Sequence, residues 1–495
     1  MGGHGGIHTP PEEPNELGEW SIPAPAASRA TWPRQDPEPE GLALTGDPAK
    51  WKIFSVVGFA LFMSSLDLTI VSTALPAIHR SLHSPINWTA WTITAATLGT
   101  VVIMPIAGGI SDQFGRKRVF IVSAVVFTLA SLACGFAGNI YLLVVLRAFQ
   151  ALGGGAFMPS ATGIVADSFG PNRDRAIAMF TSILPVGAIA GPVLGGVFVT
   201  YWSWRGIFFI NIPIGIAVIA AAIRYLPKSP RRQTGNLDLY GIFLLGSTVL
   251  VSMYAVTLLG EAHADIGSPE FIGSLVVAGL LTLAFVRNTL RNPFPIIPLY
   301  LLKGRAFLIM DLVNLIYGAA VLGLGALVPL YAEDRFHIAP LQAGTVLAAR
   351  AVGTIAVAGI ASFLLRRTGF RLPMIVGMTI IGIGSAMMFF RPSGVGPFVW
   401  LSLTTGFTGI GMGAAMPAAN NATLSFAAEN VAAITGMRGM FRSIGSIVAV
   451  SIMTAIASRS LDPGIILGWG FVLVGIPILI VIPLIASLED HRGNW

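Results

Sequence analysis

Beyond residue 50 the chain reads as long apolar runs separated by short polar breaks. Each run stays apolar for about 20 residues, the length that crosses a bilayer as a helix, instead of alternating in the segments of about ten that mark barrel strands. Fourteen such runs lie at roughly 53–78, 88–110, 119–138, 140–165, 176–200, 206–226, 239–259, 271–288, 306–331, 340–364, 372–390, 396–420, 433–457 and 464–486. They predict an all-α integral membrane protein. Residues 1–50 differ: nine of the 32 prolines, seven glycines and little apolar periodicity predict a disordered tail. That tail has no basic segment leading into an apolar run, as a signal peptide would, and Gly6 stands where a myristoylation signal needs Ser or Thr.

Composition sharpens this picture. The chain is 54% hydrophobic and 11% charged, with a mean hydropathy of +0.77, whereas soluble domains carry about 25% charged residues. A net charge of +7 would suit a nucleic-acid partner, but its placement argues otherwise. Residues 1–50 hold 3 basic and 8 acidic side chains, leaving +12 on the remainder. An even number of spans puts both termini on one side. Loops on that side hold sixteen basic residues: Arg116, Lys117, Arg118, Arg173, Arg175, Arg224, Lys228, Arg231, Arg232, Arg287, Arg291, Lys303, Arg305, Arg366, Arg367 and Arg371. The opposite loops hold five, namely Arg80, Arg205, Arg335, Arg391 and Arg459. This asymmetry places both termini in the cytoplasm of a multi-pass protein of the cytoplasmic (inner) membrane. Trp88, Trp91, Tyr201, Trp202 and Trp204 are then expected to anchor the outer interface.

Enzymatic signals are few. The single cysteine, Cys134, excludes internal disulfides and a Cys-based metal site. All seven histidines fall in tails, loops or span ends, and Gly153-Gly154-Gly155 lacks the Lys-Ser/Thr that completes a phosphate-binding loop. No metal and no cofactor is expected, so energy for transport must come from an ion gradient.

A weak repeat suggests the architecture. Gly115-Arg116-Lys117 follows the second span in a very short loop, and Gly369-Phe370-Arg371 follows the tenth in another. Two six-span halves end to end would put the second copy after span eight; it falls two spans late. The expected organisation is a tail at 1–50, a six-helix half at 51–226, a linker with two extra spans at 227–304, a second six-helix half at 305–486 and a short tail at 487–495. Repeated halves are typical of secondary transporters, whose site lies between them near the midplane.

Four segments carry polar or small residues where an apolar span needs none. Asp67, in Leu66-Asp67-Leu68-Thr69, lies about 20 Å into span one, and an ionised carboxylate at that depth costs several kcal/mol. That cost suits it to take up and release a proton. Gly109-Ile110-Ser111-Asp112-Gln113-Phe114-Gly115-Arg116-Lys117-Arg118 joins spans two and three; Gly115 permits a tight reversal. Arg147, in Arg147-Ala148-Phe149-Gln150, lies inside span four and needs a partner, water or a path to the interface. Gly187, Gly191 and Gly195 recur every fourth residue of span five, making a bare face for close packing, with Pro192 and Gly196 beside it.

Together, from about residue 53 to 486, these motifs resemble the fourteen-span drug/proton antiporter branch of the major facilitator superfamily. Trp204-Arg205 and Asn211-Ile212-Pro213-Ile214-Gly215 add to the similarity. The resemblance implies a fold of two six-helix halves plus two inserted helices, and roles for the matching residues. Asp67 would carry the proton and Arg147 would tune it. Gly109, Asp112, Gly115, Arg116 and Lys117 would form a cytoplasmic gate, while Gly187, Gly191, Pro192, Gly195 and Gly196 match its antiporter motif. Ser72 and Ala151 depart from the family's usual Asn and Gly.

The second half is more charged. Asp311, Asn314 and Tyr317 form a polar stripe on span nine, Arg350 sits about 15 Å into span ten, and Arg438 and Arg442 share a face of span thirteen. Asp311 joins Asp67 and Arg147 as a candidate for proton coupling; Asn314, Tyr317, Arg350, Arg438 and Arg442 are candidates for the substrate cavity. Asp311 is also a candidate partner for Arg350. Two acids against four arginines point toward anionic or zwitterionic amphiphiles at least as much as cations.

These readings converge on a proton-coupled antiporter that exports amphipathic small molecules (drugs, lipids or metabolites) by alternating access. Its partners are that substrate, protons and the lipid bilayer, with no nucleic acid, and it is expected to work as a monomer. The rival readings are a uniporter or importer of the same fold for an organic anion, and a membrane enzyme or sensor with a transporter-like body.

Overall fold

The computed structural model describes residues 48–488 apart from 170–175, 178, 181–182, 228–237, 259–266, 293–294, 296–303 and 426–430. Side chains at 105–106, 108–109, 112–113, 362–366, 420–421, 423–425 and 431–437 are likewise outside the description. Of the N-terminal tail expected to be disordered, residues 1–47 lie outside the described residues, and a helix already begins at Pro48.

Among the described residues, fourteen helical spans are long and apolar enough to cross a membrane, at the places the apolar runs predict. The first six are α1 (Pro48–Leu82), α2 (Ile86–Phe114), α3 (Arg116–Gly135), α4 with α5 (Ile140–Gly155 and Phe157–Phe169), α6 (Ile183–Tyr201), and α7 with α8 (Gly206–Phe209 and Asn211–Tyr225). The inserted pair is α9 (Leu239–Leu258) and α10 (Pro269–Arg291). Span nine combines α11 (Arg305–Tyr317), a π-helical turn (Gly318–Gly323), α12 (Leu324–Ala326) and α13 (Val328–Phe336). The rest are α14 (Pro340–Thr368), α15 (Arg371–Phe389), α16 (Pro397–Ser425), α17 (Val431–Ala457), and α18 with α19 (Pro463–Leu473 and Gly475–Ala486).

Apolar length predicts continuous helices, yet spans four, six, nine and fourteen are interrupted; close packing accounts for the breaks in spans four and nine. Behind the break at Ala156, Gly153 lies against the α3 backbone, where a Cβ would come within 2.6 Å of the Phe127 amide nitrogen. In span nine, Gly318 abuts the Arg442 carbonyl of α17, and a Cβ on Gly323 would come within 2.8 Å of the Ser446 carbonyl, so the π turn presses bare backbone against its neighbour.

The two short loops that suggested a repeat share one local geometry. Gly115 has φ 95° and Gly369 has φ 72°, left-handed values that only glycine adopts freely. They define one face of the molecule, called here the near side, where α1 also begins; Arg80 and Trp88 mark the far side.

Packing is unequal on the two sides. The larger apolar core runs through the depth of the second half, from Phe370 and Leu488 on the near side, and takes in the first half toward the far side, where Leu75 and Ile78 of α1 join Leu327 and Tyr331 of span nine. Near-side residues such as Val57, Phe120, Phe157 and Phe180 form a separate core wholly within the first half. The halves also meet where α6 packs on α14 and α2 on α17. The inserted α9 touches both α2 and α17, covering that seam, while α10 is the least buried span.

The aromatic anchors expected at the outer interface are corrected in part. Tyr201 and Trp202 are exposed, but Trp91 and Trp204 are buried. Trp91 turns inward because its indole N–H donates to Thr257 Oγ1 of α9 at 2.6 Å.

Candidate functional site

The first half is organised around one acid. Asp67 is 4% exposed, and two helices bring three donors to it. Arg147 Nη1 of α4 donates to Oδ2 at 2.6 Å, Gln150 Nε2, one turn on, to Oδ1 at 2.8 Å, and Asn211 Nδ2 of α8 to the same oxygen at 3.1 Å. Spacing explains the pairing, since Arg147 and Gln150 at i and i+3 share one helix face.

The donors are themselves held in place. Arg147 Nε donates to the Thr92 carbonyl of α2 at 3.1 Å, its Nη1 also reaches Gln150 Oε1 at 2.6 Å, and the guanidinium lies 5.7 Å from the Phe208 ring centroid. Gln150 Nε2 further donates to Ser131 Oγ of α3 at 2.7 Å. Arg147 is 1% exposed, so it does not reach for the interface; it is committed to Asp67. Breaking so buried a pair by removing one partner costs about 3–5 kcal/mol. As built, the carboxylate accepts three N–H donors, two on Oδ1 and one on Oδ2.

The gate residues lie at the near end of the same half. Arg116 pairs with Asp167 at 2.5 Å and also donates to the Gly163 carbonyl, both on α5. Lys117 Nζ donates to the Ile223 and Leu226 carbonyls at the end of α8, at 2.8 and 2.6 Å. The loop thus ties three helix ends together. The side chains of Gly109 and Asp112 lie outside the described residues.

The span-five motif has two faces. Cβ atoms at Gly187, Gly191 and Gly195 would come within 2.7 to 2.9 Å of Ser65 Cβ, the Leu66 carbonyl and the Ile70 carbonyl, so this face seats α6 on α1. Gly196 faces the other half, 2.7 Å by the same measure from Leu341 Cα, and Gly344 of α14 abuts the Pro192 carbonyl. On the far side Arg80, at the end of α1, pairs with Glu333 of α13, a second tie between halves.

The second half looks different. Asp311 is buried, its Oδ2 makes no hydrogen bond, and Arg438 lies within reach of its charge. Asn314 turns back onto its own helix, donating to the Met310 carbonyl at 2.7 Å. Tyr317 Oη lies 3.8 Å from Met416 Sδ, and both line a narrow void with Arg442. Arg350 Nη1 donates to the Val321 carbonyl in the π turn at 2.9 Å. Its expected pairing with Asp311 is therefore not seen; a carbonyl bared by the π turn takes its place.

Sequence reading passed over several contributors. Gln150 and Asn211 stood inside quoted motifs without a role, though a buried amide in an apolar span is a signal in itself. Glu333 and Gly344 had no visible signal, because their partners lie in the other half.

Comparison with known proteins is consistent with this geometry. A family model described as Major Facilitator Superfamily matches residues 57–448 and again 310–494. The multidrug transporter protein MdtP of Bacillus subtilis (strain 168) is 30% identical over 401 residues, 80% of this chain and 73% of that protein. Multidrug resistance protein 3 of the same strain is 29% identical over 415 residues, covering 82% and 80%. A crystal structure of the peptide transporter POT in complex with sulfate aligns over 91% of this chain and 97% of that one, with a TM-score of 0.65 and 16% identity, a likeness of fold alone.

Proposed function

The chain belongs to the major facilitator superfamily, and from that premise we propose that it is a proton-coupled antiporter exporting amphipathic small molecules across the cytoplasmic membrane. Membership makes it a multi-pass membrane transporter and not an enzyme. The names of the multidrug relatives support drug-like cargo.

The observation that carries proton coupling is the buried Asp67–Arg147 pair with its amide donors. In this state the far side is shut by α6 on α14 and by Arg80 on Glu333, while the near-side core of the first half stands apart from the second. Substrate loads from the near side, read as the cytoplasm, with Asp67 ionised. Once the far side opens, a proton on Asp67 weakens its hold on Arg147, rearranges α1 against α4, and favours substrate release. Loss of that proton toward the cytoplasm restores the pair.

The test is flux in proteoliposomes with an imposed pH gradient. Export should follow the gradient and collapse with a protonophore. Equal transport with no gradient would replace the reading by a uniporter of the same fold.

A further inference from the structure

We propose that Arg350 and Arg442 form an anion subsite in the second half, holding the carboxylate or sulfonate of a transported amphiphile; this rests on the exporter reading above.

The hydrogen-bond supply at these two side chains is unusual for groups at membrane depth. A guanidinium carries five N–H donors and is costly to leave unmet in an apolar span. Arg350 makes one bond, to the Val321 carbonyl. For Arg442, the buried Nε makes none, and among the described residues no hydrogen bond or ion pair reaches its side chain. Asp311 does not serve them, since the cation within reach of it is Arg438. Ordinary buried polar groups find partners; these two cations lack an anion.

The surroundings describe the missing group. Arg442 lines a void with Asn314, Tyr317 and Met378, and Arg350 lines another with Ser385, Thr408 and Met412. The two voids stack along the same helices, span nine, α15 and α16, and Tyr317 between them lies within reach of both charges. Each void has room for about one water, which fits the oxygen end of an acid and not a whole amphiphile. Both arginines remain partly exposed, so the apolar body of the ligand can lie outside the voids. Methionine walls suit apolar bodies of varied shape. Gly325 adds a geometric control, because a Cβ there would collide with Arg350 Nη1.

The experiment compares a membrane-impermeant anionic amphiphile, taurocholate, with a cationic one, ethidium, in proteoliposomes under an imposed pH gradient. Wild-type protein should transport both. Arg350→Gln and Arg442→Gln should each lower taurocholate flux about tenfold, the loss of about one charge-assisted hydrogen bond, while ethidium flux stays within about twofold. Gly325→Ala, which displaces the guanidinium without removing its charge, should reproduce the Arg350→Gln pattern. Retained ethidium flux shows that each variant is folded. Equal loss of both probes in all three variants would make the arginines structural and overturn the proposal. Wild-type transport of ethidium but not taurocholate would overturn it and leave the exporter reading standing; transport of neither would end both. A chloride-for-gluconate exchange that slows wild-type ethidium flux but not that of Arg350→Gln would assign the subsite to an inorganic anion instead.

Discussion

The two halves share a fold and differ in how their buried charges are met. Around Asp67 each oxygen of the acid has a donor from its own half, and two of those donors, Arg147 and Gln150, have further partners. Among the described residues, one hydrogen bond serves the two guanidinium groups of Arg350 and Arg442. A closed network of this kind changes state only when its charge changes, which a proton does. An open one changes when a ligand enters. Under the proposed function, the contrast would give proton chemistry to the first half and recognition of the cargo to the second, with the far-side contacts transmitting between them.

The largest expected effect comes from breaking the closed network. Asp67→Asn leaves Arg147 buried without its counter-charge and should cost about 3–5 kcal/mol of stability, read as a lower melting temperature in detergent. Adding Arg147→Gln should restore much of that loss, because the network then has no charge to satisfy. Gradient-driven export should be absent in both. A double variant that regains concentrative export would remove Asp67 from the coupling step and with it the contrast between halves.

The second prediction concerns the seam between halves. Gly344→Leu should wedge α14 away from the Pro192 carbonyl and shift the population toward an open far side. Overpacking costs about 1–3 kcal/mol, enough for roughly a tenfold or larger shift. A cysteine at Thr73, buried beside Gly344, should then label faster from the far side. Unchanged labelling in a folded variant would mean that this contact does not close the mouth.

How far the sequence reaches is clear from the same residues. Apolar length locates the fourteen spans because the bilayer sets that length regardless of packing. Asp67 and Arg147 stand out singly since charge at depth is expensive, and the repeat surfaces in the Gly115 and Gly369 loops because each needs a left-handed residue. What stays hidden is pairwise. Nothing local tells Arg350 that its acceptor is a carbonyl bared by a π turn, or Trp91 that an inserted span will bury it. Those outcomes depend on which helix faces which.

A smaller effect is expected from the far-side ion pair. The Arg80 side chain is 56% exposed, so its bond to Glu333 is worth about 0.2–1 kcal/mol. Arg80→Gln or Glu333→Gln should therefore raise labelling of a cysteine at Thr73 less than Gly344→Leu does, by no more than about fivefold. The double variant should match the singles. If the two effects simply add, the residues do not act as a pair.

The smallest effect is a pH dependence at the same mouth, and it sharpens the contrast because it places a second titrating acid outside the Asp67 network. Burial first, then the charge of adjoining Glu333, push the Asp334 carboxyl above the ordinary carboxylate range, with Asp462 acting in the same sense; His79 and Arg80 oppose them. Opening the mouth would return Asp334 to water and to its ordinary value, near 4. The closed mouth therefore holds the proton more tightly. Its extra stability is fully present below that ordinary value and is lost as pH rises through the raised one. Labelling of a cysteine at Thr73 should thus slow as the far side is acidified, and Asp334→Asn should flatten the response. If, as proposed, the driving protons enter from this same side, acid would both fuel export through Asp67 and hold the mouth shut through Asp334. Export by the wild type should accordingly fall off at the acid extreme, and export by Asp334→Asn should not. Labelling that speeds up with acid, or an identical acid fall-off in the variant, would show that Asp334 does not regulate the mouth.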